Sequence, residues 1–285
     1  MAIRRKTRGR NVSKPRASAK EVLTDSIETI EERLRSYTWN IRLKAVKELG
    51  KLDDKEKILG LLVKMLGDRS SKVLVAVADV LGNVAGNEKT RDATLEILKD
   101  KLYDEHDRVR MCAADALAMA AGNEKSRDTA FGILKNALSD DNDYELQLYA
   151  IWALKSATGK GVDISGIVGE LGGLLSNTTV GSTAAQTLEK AAKNGVDMSA
   201  AFETLVKALS EGDSHTGERA VAILINAAEK GGHNTRMGIL STVMGVIRSE
   251  WFISGADQNS MAYERTVMGL GAVMQKIEEL EREAA

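Results

Sequence analysis

The sequence predicts an all-α protein, a right-handed α-solenoid of about six to seven antiparallel helix pairs. Three observations support this: proline is almost absent, two segments recur at offsets of 34 and 36 residues, and a leucine recurs at a similar period. Proline occurs once, at Pro15, and 270 residues follow without another. A long stretch without proline, rich in Ala, Leu, Lys and Glu, favours helix.

The two recurring segments appear when the chain is aligned with itself. The segment AGNEKTRD at 85–92 recurs as AGNEKSRD at 121–128, an offset of 36 residues. The segment GVDIS at 161–165 recurs as GVDMS at 195–199, an offset of 34 residues. Periods of this length are typical of stacked arrays, in which each repeat packs only against its neighbours.

A small residue followed four positions later by leucine predicts one helix in each repeat. The pairs are Ala45/Leu49, Val77/Leu81, Ala113/Leu117, Ala150/Leu154, Ala184/Leu188 and Ala220/Leu224. The small residue lets neighbouring helices approach, and the leucine fills the core between them. An apolar stripe at helical spacing precedes each pair and predicts the first helix of the repeat. We expect Gly86, Gly122, Gly159 and Gly195 to end the second helices in the left-handed conformation of a C-terminal cap.

Three regions are predicted along the chain. Residues 1–20 form a basic, flexible arm, residues 21–232 contain the six regular repeats, and residues 233–285 form an irregular C-terminal repeat and cap. The last region contains a predicted loop at 251–259 and ends in a charged helix from Gln275 to Glu283. A polar end helix suits the capping role that open arrays require.

The segment DEHDRVRMCAADAL at 104–117 resembles the inter-helix turn and second helix of a HEAT repeat. That family favours Asp in the turn, then Val-Arg, then Ala-Ala and Leu, and the resemblance extends more loosely over roughly residues 25–230. It implies a solenoid whose second helices line a concave binding surface. The family's arginine is present at Arg42 and Arg110, whereas Leu74, Gln147, Gly181 and Gly217 occupy its place in the other repeats. The usual proline of the first helix is absent, so the later repeats are expected to be degenerate.

The formal net charge of −1 conceals a separation of charge along the chain. The first 20 residues contain no acid and eight bases, Arg4, Arg5, Lys6, Arg8, Arg10, Lys14, Arg16 and Lys20, which leaves 32 basic against 41 acidic residues in the body. Such an arm suits the phosphate backbone of RNA or DNA, to which affinity falls steeply with salt. The alternative is that the arm stays solvated or docks on the acidic body of its own chain.

Residues suited to catalysis or metal binding are scattered. The three histidines, His106, His215 and His233, are far apart in sequence and belong to no metal-binding motif. Cys112 is the single cysteine and lies in an apolar helix without an identifiable base, so we interpret it as a packing residue. We therefore expect no enzyme activity, no cofactor, no metal and no small-molecule substrate. The lone cysteine and the absence of long apolar runs favour a cytoplasmic protein without a membrane partner.

One outward position of the second helices predicts a binding surface. It is occupied in turn by Lys47, Asp79, Asp115, Trp152, Gln186 and Ala222. This mixed ladder suits a protein partner better than a nucleic-acid backbone, which requires a sustained basic stripe. The predicted partner-binding residues are Asp79, Asp115, Tyr149, Trp152, Trp251 and Phe252. Three alternatives remain: Trp152 plugs the core, the two aspartates form a solvated ladder, or Trp251 and Phe252 fold back onto the array.

The predicted function is a non-enzymatic scaffold. The solenoid engages a protein while the basic arm contacts nucleic acid, as in a ribosomal or chromosomal assembly. Two alternatives come from other classes. The first is an enzyme on the same fold, such as the DNA-repair glycosylases that are built from HEAT-like repeats. The second is a homo-oligomeric structural protein that associates through the charge-poor segment 161–183.

Overall fold

The computed structural model of the chain describes residues 27–211, 214–248 and 261–284. Within those residues every long element is an α-helix, and the helices form seven consecutive pairs. The first helices are α1 (Ile27–Leu34), α3 (Lys55–Val63), α5 (Arg91–Lys101), α7 (Arg127–Leu138), α9 (Val168–Gly173), α11 (Phe202–Glu211) and α13 (His233–Ile247). The second helices are α2 (Trp39–Leu49), α4 (Ser71–Ala85), α6 (Asp107–Ala120), α8 (Tyr144–Gly159), α10 (Gly181–Lys193), α12 (Ser214–Lys230) and α14 (Met261–Ala284). The predicted α-solenoid of helix pairs is confirmed.

Each helix pair forms one layer of the stack. The two helices of a layer contact each other, and each second helix contacts the second helix of the next layer, from α2 through to α14. The first helices contact one another much less extensively. The second helices therefore form the more closely packed side of the stack, which is the inner side of a curved array.

The core consists of the small residues and leucines that define the repeat. All six predicted pairs are buried, from Ala45 and Leu49 in α2 to Ala220 and Leu224 in α12. The first helices contribute a parallel row that includes Ile58, Leu98 and Leu134. The buried side chains form one continuous cluster from Ile30 to Ile277, as expected when each layer covers the apolar face of its neighbour.

Glycine sets the distance between neighbouring second helices at Gly82. A Cβ atom built there would lie 2.6 Å from the Cβ of Met119 in the next layer, so a larger residue requires the two helices to separate. Gly86 is similarly crowded by Asn123. The prediction of left-handed caps was wrong at Gly86, Gly122 and Gly159: the described glycines with positive φ are Gly161 and Gly195. Close packing against the neighbouring layer accounts for glycine at Gly86, Gly122 and Gly159.

The recurring segment AGNEK(T/S)RD forms the link between layers. In both copies an asparagine side chain, Asn87 or Asn123, accepts a hydrogen bond from the backbone N–H two residues later. The buried hydroxyl of Thr90 donates to the carbonyl oxygen of Val84 at 2.8 Å, and Ser126 makes the equivalent bond to Ala120. Each of these carbonyl groups also accepts a hydrogen bond from a backbone N–H, of Asn87 or Asn123, so the hydroxyl provides a second bond at the end of the helix in both copies of the motif.

The family's arginine joins one layer to the turn of the next. The guanidinium of Arg42 donates two hydrogen bonds to Asp68, at 2.6 and 2.8 Å, and the side chains are 13% and 5% exposed. Arg110 likewise donates to Asp143 at 2.6 Å. Where the arginine is missing, other contacts occur. The amide of Gln147 donates to the carbonyl of Leu138, and a Cβ at position 181 would lie 2.5 Å from a backbone oxygen.

The fifth layer departs most from the regular pattern. Its first helix, α9, has six residues and is flanked by 3-10 turns at Ser165–Ile167 and Leu174–Ser176. Gly166 packs against the ring of Phe131, and Gly172 packs against Thr204 of the sixth layer. At these two positions glycine permits close packing against neighbouring layers. The expected degeneracy of the later repeats is thus located in a short, glycine-rich first helix.

We expect Gly82→Ala to destabilise the protein by about 1–3 kcal/mol, because the added methyl group overpacks the contact with Met119. Gly60→Ala is the matched control. Gly60 also lies within a helix but has no neighbour that would contact an added Cβ, so the same change should stabilise by about 0.5–1 kcal/mol. Urea unfolding followed by circular dichroism distinguishes the two, and equal effects would contradict this account of interlayer spacing.

We expect Arg42→Met to cost about 3 kcal/mol, because it leaves the buried carboxylate of Asp68 without its charged partner. The control is Arg35→Met, which breaks the exposed pair with Glu31 and should cost less than about 0.5 kcal/mol. The measurement is the urea midpoint of each variant at neutral pH. An Arg42→Met midpoint as high as that of the control would show that this pair does not hold the layers together.

Candidate protein-binding surface

The predicted outward position of the second helices faces solvent in every layer where it was assigned. Lys47 and Trp152 are exposed, and the Asp79, Asp115, Gln186 and Ala222 side chains are half-buried. Trp152 is 47% exposed, so it does not plug the core. These side chains project from the inner side of the stack, where neighbouring second helices place them in adjacent rows.

An apolar row runs beside the ladder, one helical turn toward the start of each helix. It consists of Val75, Met111 and Leu148, of which Val75 is exposed and the other two are half-buried. We call Val75, Asp79, Met111, Asp115, Leu148 and Trp152 the inner patch. It spans the second helices α4, α6 and α8. The apolar row did not emerge from the sequence alone, although each member stands four residues before a ladder residue and therefore shares its helix face.

Charge in the inner patch is concentrated on two aspartates and one lysine. The ammonium of Lys160, just after α8, donates to Asp79 of α4 at 2.5 Å and so spans the intervening helix α6. Asp115 of α6 lies between these layers. Burial raises the pKa of the Asp115 carboxyl to about 6, with a smaller increase from the charge of Asp79 and a decrease from Lys160. The charges of both Lys160 and Asp79 therefore act on Asp115, and the sequence alone predicts no binding role for Lys160.

Tyr149 and Trp152 form an aromatic pair at the edge of the inner patch. Their ring centroids are 6.0 Å apart and their planes are tilted by 52°. The guanidinium of Arg110 lies 5.4 Å from the centroid of the Tyr149 ring, a distance at which a cation and an aromatic face attract. Because Arg110 also donates a hydrogen bond to Asp143 in the turn before α8, its guanidinium is fixed beside the Tyr149 ring. Trp152 thus projects from a well-fixed support.

Two groups of predicted site residues lie outside the described part of the chain. They are the arm residues Arg4 to Lys20 and the aromatic pair Trp251 and Phe252. Two other aromatic residues, Tyr37 and Trp39, lie at the start of α2 and do not seal the first layer. Tyr37 is fully exposed, and Trp39 is 41% exposed with the ammonium of Lys72 4.6 Å from its ring centroid.

The remaining reactive side chains are engaged locally. Cys112 is buried, its thiol lies 3.5 Å from the carbonyl oxygen of Leu74, and burial raises its pKa, so it remains a thiol at neutral pH. His106 lies beside Asp104, and His233 contacts Glu281 at 2.8 Å. In residues 27–211, 214–248 and 261–284 there is no group of three or more His, Cys, Asp or Glu that could hold a metal ion. None of the described helices combines the length and apolar character that crossing a bilayer requires.

We expect Asp115→Asn to stabilise the protein at pH 7.5. The pKa of Asp115 is raised from about 3.9 in the unfolded chain to about 6 in the folded protein, so the folded state binds the proton more tightly. The protonated Asp115 carboxyl makes its full contribution to stability below about pH 4. This contribution is lost as the pH rises through about 6, because ionisation of the buried carboxyl lowers the free energy of unfolding by about 1–3 kcal/mol. The variant removes that cost. Urea midpoints at pH 4 and pH 7.5 should therefore differ most from wild type at pH 7.5.

The control for this prediction is Asp100→Asn on the exposed face of α5. It should change the urea midpoint little at either pH, because a solvated carboxylate has little desolvation to relieve. A gain for Asp115→Asn that is equal at both pH values would show that its carboxyl does not titrate in this range.

One family model and several solved structures align with this chain. A family model described as HEAT repeats matches residues 27–118 and 61–155. An engineered protein of known crystal structure aligns with 90% of this chain and 71% of its own, at 22% identity and a TM-score of 0.40. A designed armadillo repeat protein, solved in complex with the peptide (KR)4, aligns with 89% of this chain and 100% of its own, at 19% identity and a TM-score of 0.33.

No curated protein sequence matches this chain. The family match covers the first four layers, including the turn and second helix at 104–117 that carried the resemblance. The layers that follow repeat the same pairing of first and second helices as far as Ala284. Residues 27–155 of this chain match HEAT repeats, and the solenoid that they begin continues through the remaining described layers.

Proposed function

We propose that this protein is a non-enzymatic binding scaffold whose inner patch engages a protein segment while its basic N-terminal arm contacts RNA or DNA. The observation that carries the proposal is the exposure of Trp152 in the middle of the inner side of the stack. The repeat solenoid is itself a fold that presents extended binding surfaces. We propose a cytoplasmic location, because the single cysteine is free and the cytoplasm is a reducing compartment.

The composition of the inner patch favours one kind of protein segment. Trp152 and the row Val75, Met111 and Leu148 offer apolar surface, and exposed tryptophan is among the residues that contribute most to protein interfaces. Asp79 and Asp115 place negative charge beside that row. A segment that combines apolar side chains with lysine or arginine complements both features. Such a segment would compete with Lys160 for Asp79.

The inner patch is unsuited to a nucleic-acid backbone, because its charged ladder residues in α4 and α6 are acidic. The eight bases of residues 1–20 supply the sequence-independent phosphate contacts instead. The arm contains no aromatic residue, so we propose contact with phosphates without stacking on bases. The two binding activities would then reside in separate parts of the chain and be separable by mutation.

The experiment is an affinity capture from native lysate with four forms of the chain, each with and without nuclease. The forms are the full chain, a deletion of residues 1–20, Trp152→Ala, and Tyr103→Ala as an exposed aromatic control outside the inner patch. We expect the deletion to lose nucleic acid and keep the protein partner. We expect Trp152→Ala to reduce recovery of the protein partner at least tenfold and to keep nucleic acid, while Tyr103→Ala behaves as the full chain.

Two results would contradict the proposal. If the deletion still recovers nucleic acid, the arm is not the nucleic-acid contact. If Trp152→Ala recovers the same protein as Tyr103→Ala in equal amount, the inner patch is not the protein-binding surface. Titration of a fluorescent oligonucleotide at 50 and 200 mM salt adds an independent check, since a phosphate contact predicts a steep loss of affinity.

A further inference from the structure

The outer face of α14 carries the pattern of a surface built to receive another helix. The sequence GERAVAIL at 217–224 in α12 recurs as YERTVMGL at 263–270 in α14. The match aligns the buried Thr266 with Ala220 and the buried Leu270 with Leu224. The remaining positions of α14 can therefore be compared with their equivalents in the earlier second helices, although extra residues separate this layer from α12.

The residue that follows the small core residue faces the next layer. In the first five second helices it is Val46, Ala78, Ala114, Ile151 or Ala185, and each is between 0% and 2% exposed. In α12 it is Val221, which is half-buried, and a Cβ at Gly269 of α14 would lie 2.9 Å from its Cγ2. In α14 the equivalent residue is Val267, and it is 42% exposed.

The neighbours of Val267 extend this apolar face along α14. Met274 is half-buried on this face, and Met268, at the ladder position, borders it from the inner side of the stack and is 75% exposed. Gly271 is exposed and occupies the position of Gly50 and Gly82, where the absence of a side chain admits Val80 and Met119 of the following layers. The outer face of α14 thus keeps the shape that accepts a helix in the regular layers.

The opposite end of the described stack has a different character. The positions by which a second helix faces the preceding layer hold Lys44 and Glu48 in α2 and Lys51 just after it, and Glu48 is paired with Arg33. In α6 the first two of these positions hold Cys112 and Ala116, which are buried. Stacking the end at α14 onto the end at α2 would bury the ammonium of Lys44 and the Glu48–Arg33 pair against the apolar Val267, and the desolvation of these charges is costly.

We propose that the outer face of α14 binds the same face of a second copy of this chain, giving a tail-to-tail dimer with twofold symmetry. A twofold contact pairs each apolar residue with an apolar surface and covers both faces at once. The two α14 helices cross near Gly271, where the backbones can approach. This interface is distinct from the inner patch, so the dimer can be tested independently of the proposed function. It is also distinct from the segment 161–183, the alternative self-association site predicted from the sequence.

The first test is sedimentation velocity of the full chain over a wide concentration range, with two matched variants. Val267→Glu places a charge in the proposed interface and should raise the dissociation constant of the dimer at least tenfold. Val75→Glu changes an equally exposed valine of the inner patch and should leave the dissociation constant unchanged. Circular dichroism checks that both variants remain folded. A full chain that sediments as a monomer throughout, or a dimer that Val75→Glu disrupts and Val267→Glu does not, overturns the proposal.

The second test traps the contact covalently and does not depend on the effect of a buried charge. The native Cys112 is buried, so a new surface cysteine controls disulfide formation between copies. Gly271→Cys lies at the proposed crossing, and Gly60→Cys lies in open space on α3 as the control. Mild oxidation should convert Gly271→Cys to a disulfide-linked dimer at least tenfold faster than Gly60→Cys. Equal rates would show that α14 faces a different partner or none.

Discussion

The close approach of successive second helices is the constraint on which the other features of this protein depend. At Gly82 and Met119 the two helices approach so closely that no side chain fits between them. Small residues elsewhere in the core keep a similar separation, and because each layer covers the apolar face of its neighbour, stability is distributed along the stack. The same spacing brings ladder residues of adjacent layers side by side, so the geometry of the inner patch is a by-product of how the core packs.

Ionic contacts between layers act on this packed stack in two different ways. Arg42 and Arg110 connect a second helix to the turn of the following layer, Arg42 through a nearly buried pair with Asp68 and Arg110 through a partly exposed pair with Asp143. In later layers an ion pair can join two second helices directly, as between Arg219 of α12 and Glu189 of α10. The family's arginine is therefore used where the repeat is most regular, and other contacts serve the layers in which the first helix is short or glycine-rich.

The repeat frame, the buried leucines and the outward ladder could all be predicted from the sequence, because each follows from helical periodicity and an offset of about 36 residues. Glycine conformation could not, because Gly86 and Gly122 occupy the same sequence context as a cap and only the neighbouring layer shows why they are small. The contact between Lys160 and Asp79 joins residues 81 positions apart and depends on the curvature of the stack. The exposure of Trp152 could not be predicted either, because it depends on which side of α8 the neighbouring helices cover.

The seventh layer shows a different limit of the repeat argument. An irregular pair was predicted there, and the described helices of this region are α13 and α14. The charged segment from Gln275 to Glu283 had suggested a polar cap, and the exposed residues in this half of α14 are indeed polar. Its other half exposes Val267 and Met268, which became significant only when the buried equivalents in earlier layers were known. Burial at equivalent positions carries information that residue type alone does not.

The bond from Lys160 to Asp79 passes over one whole layer, and this has a mechanical consequence. It joins the second and fourth layers across the inner side of the stack, and because both side chains are more than one-third exposed it resists their separation by only about 0.2–1 kcal/mol. A cationic side chain that bound Asp79 would replace this contact. Occupation of the inner patch at this point would therefore be coupled, by a similarly small free energy, to the separation of these two layers.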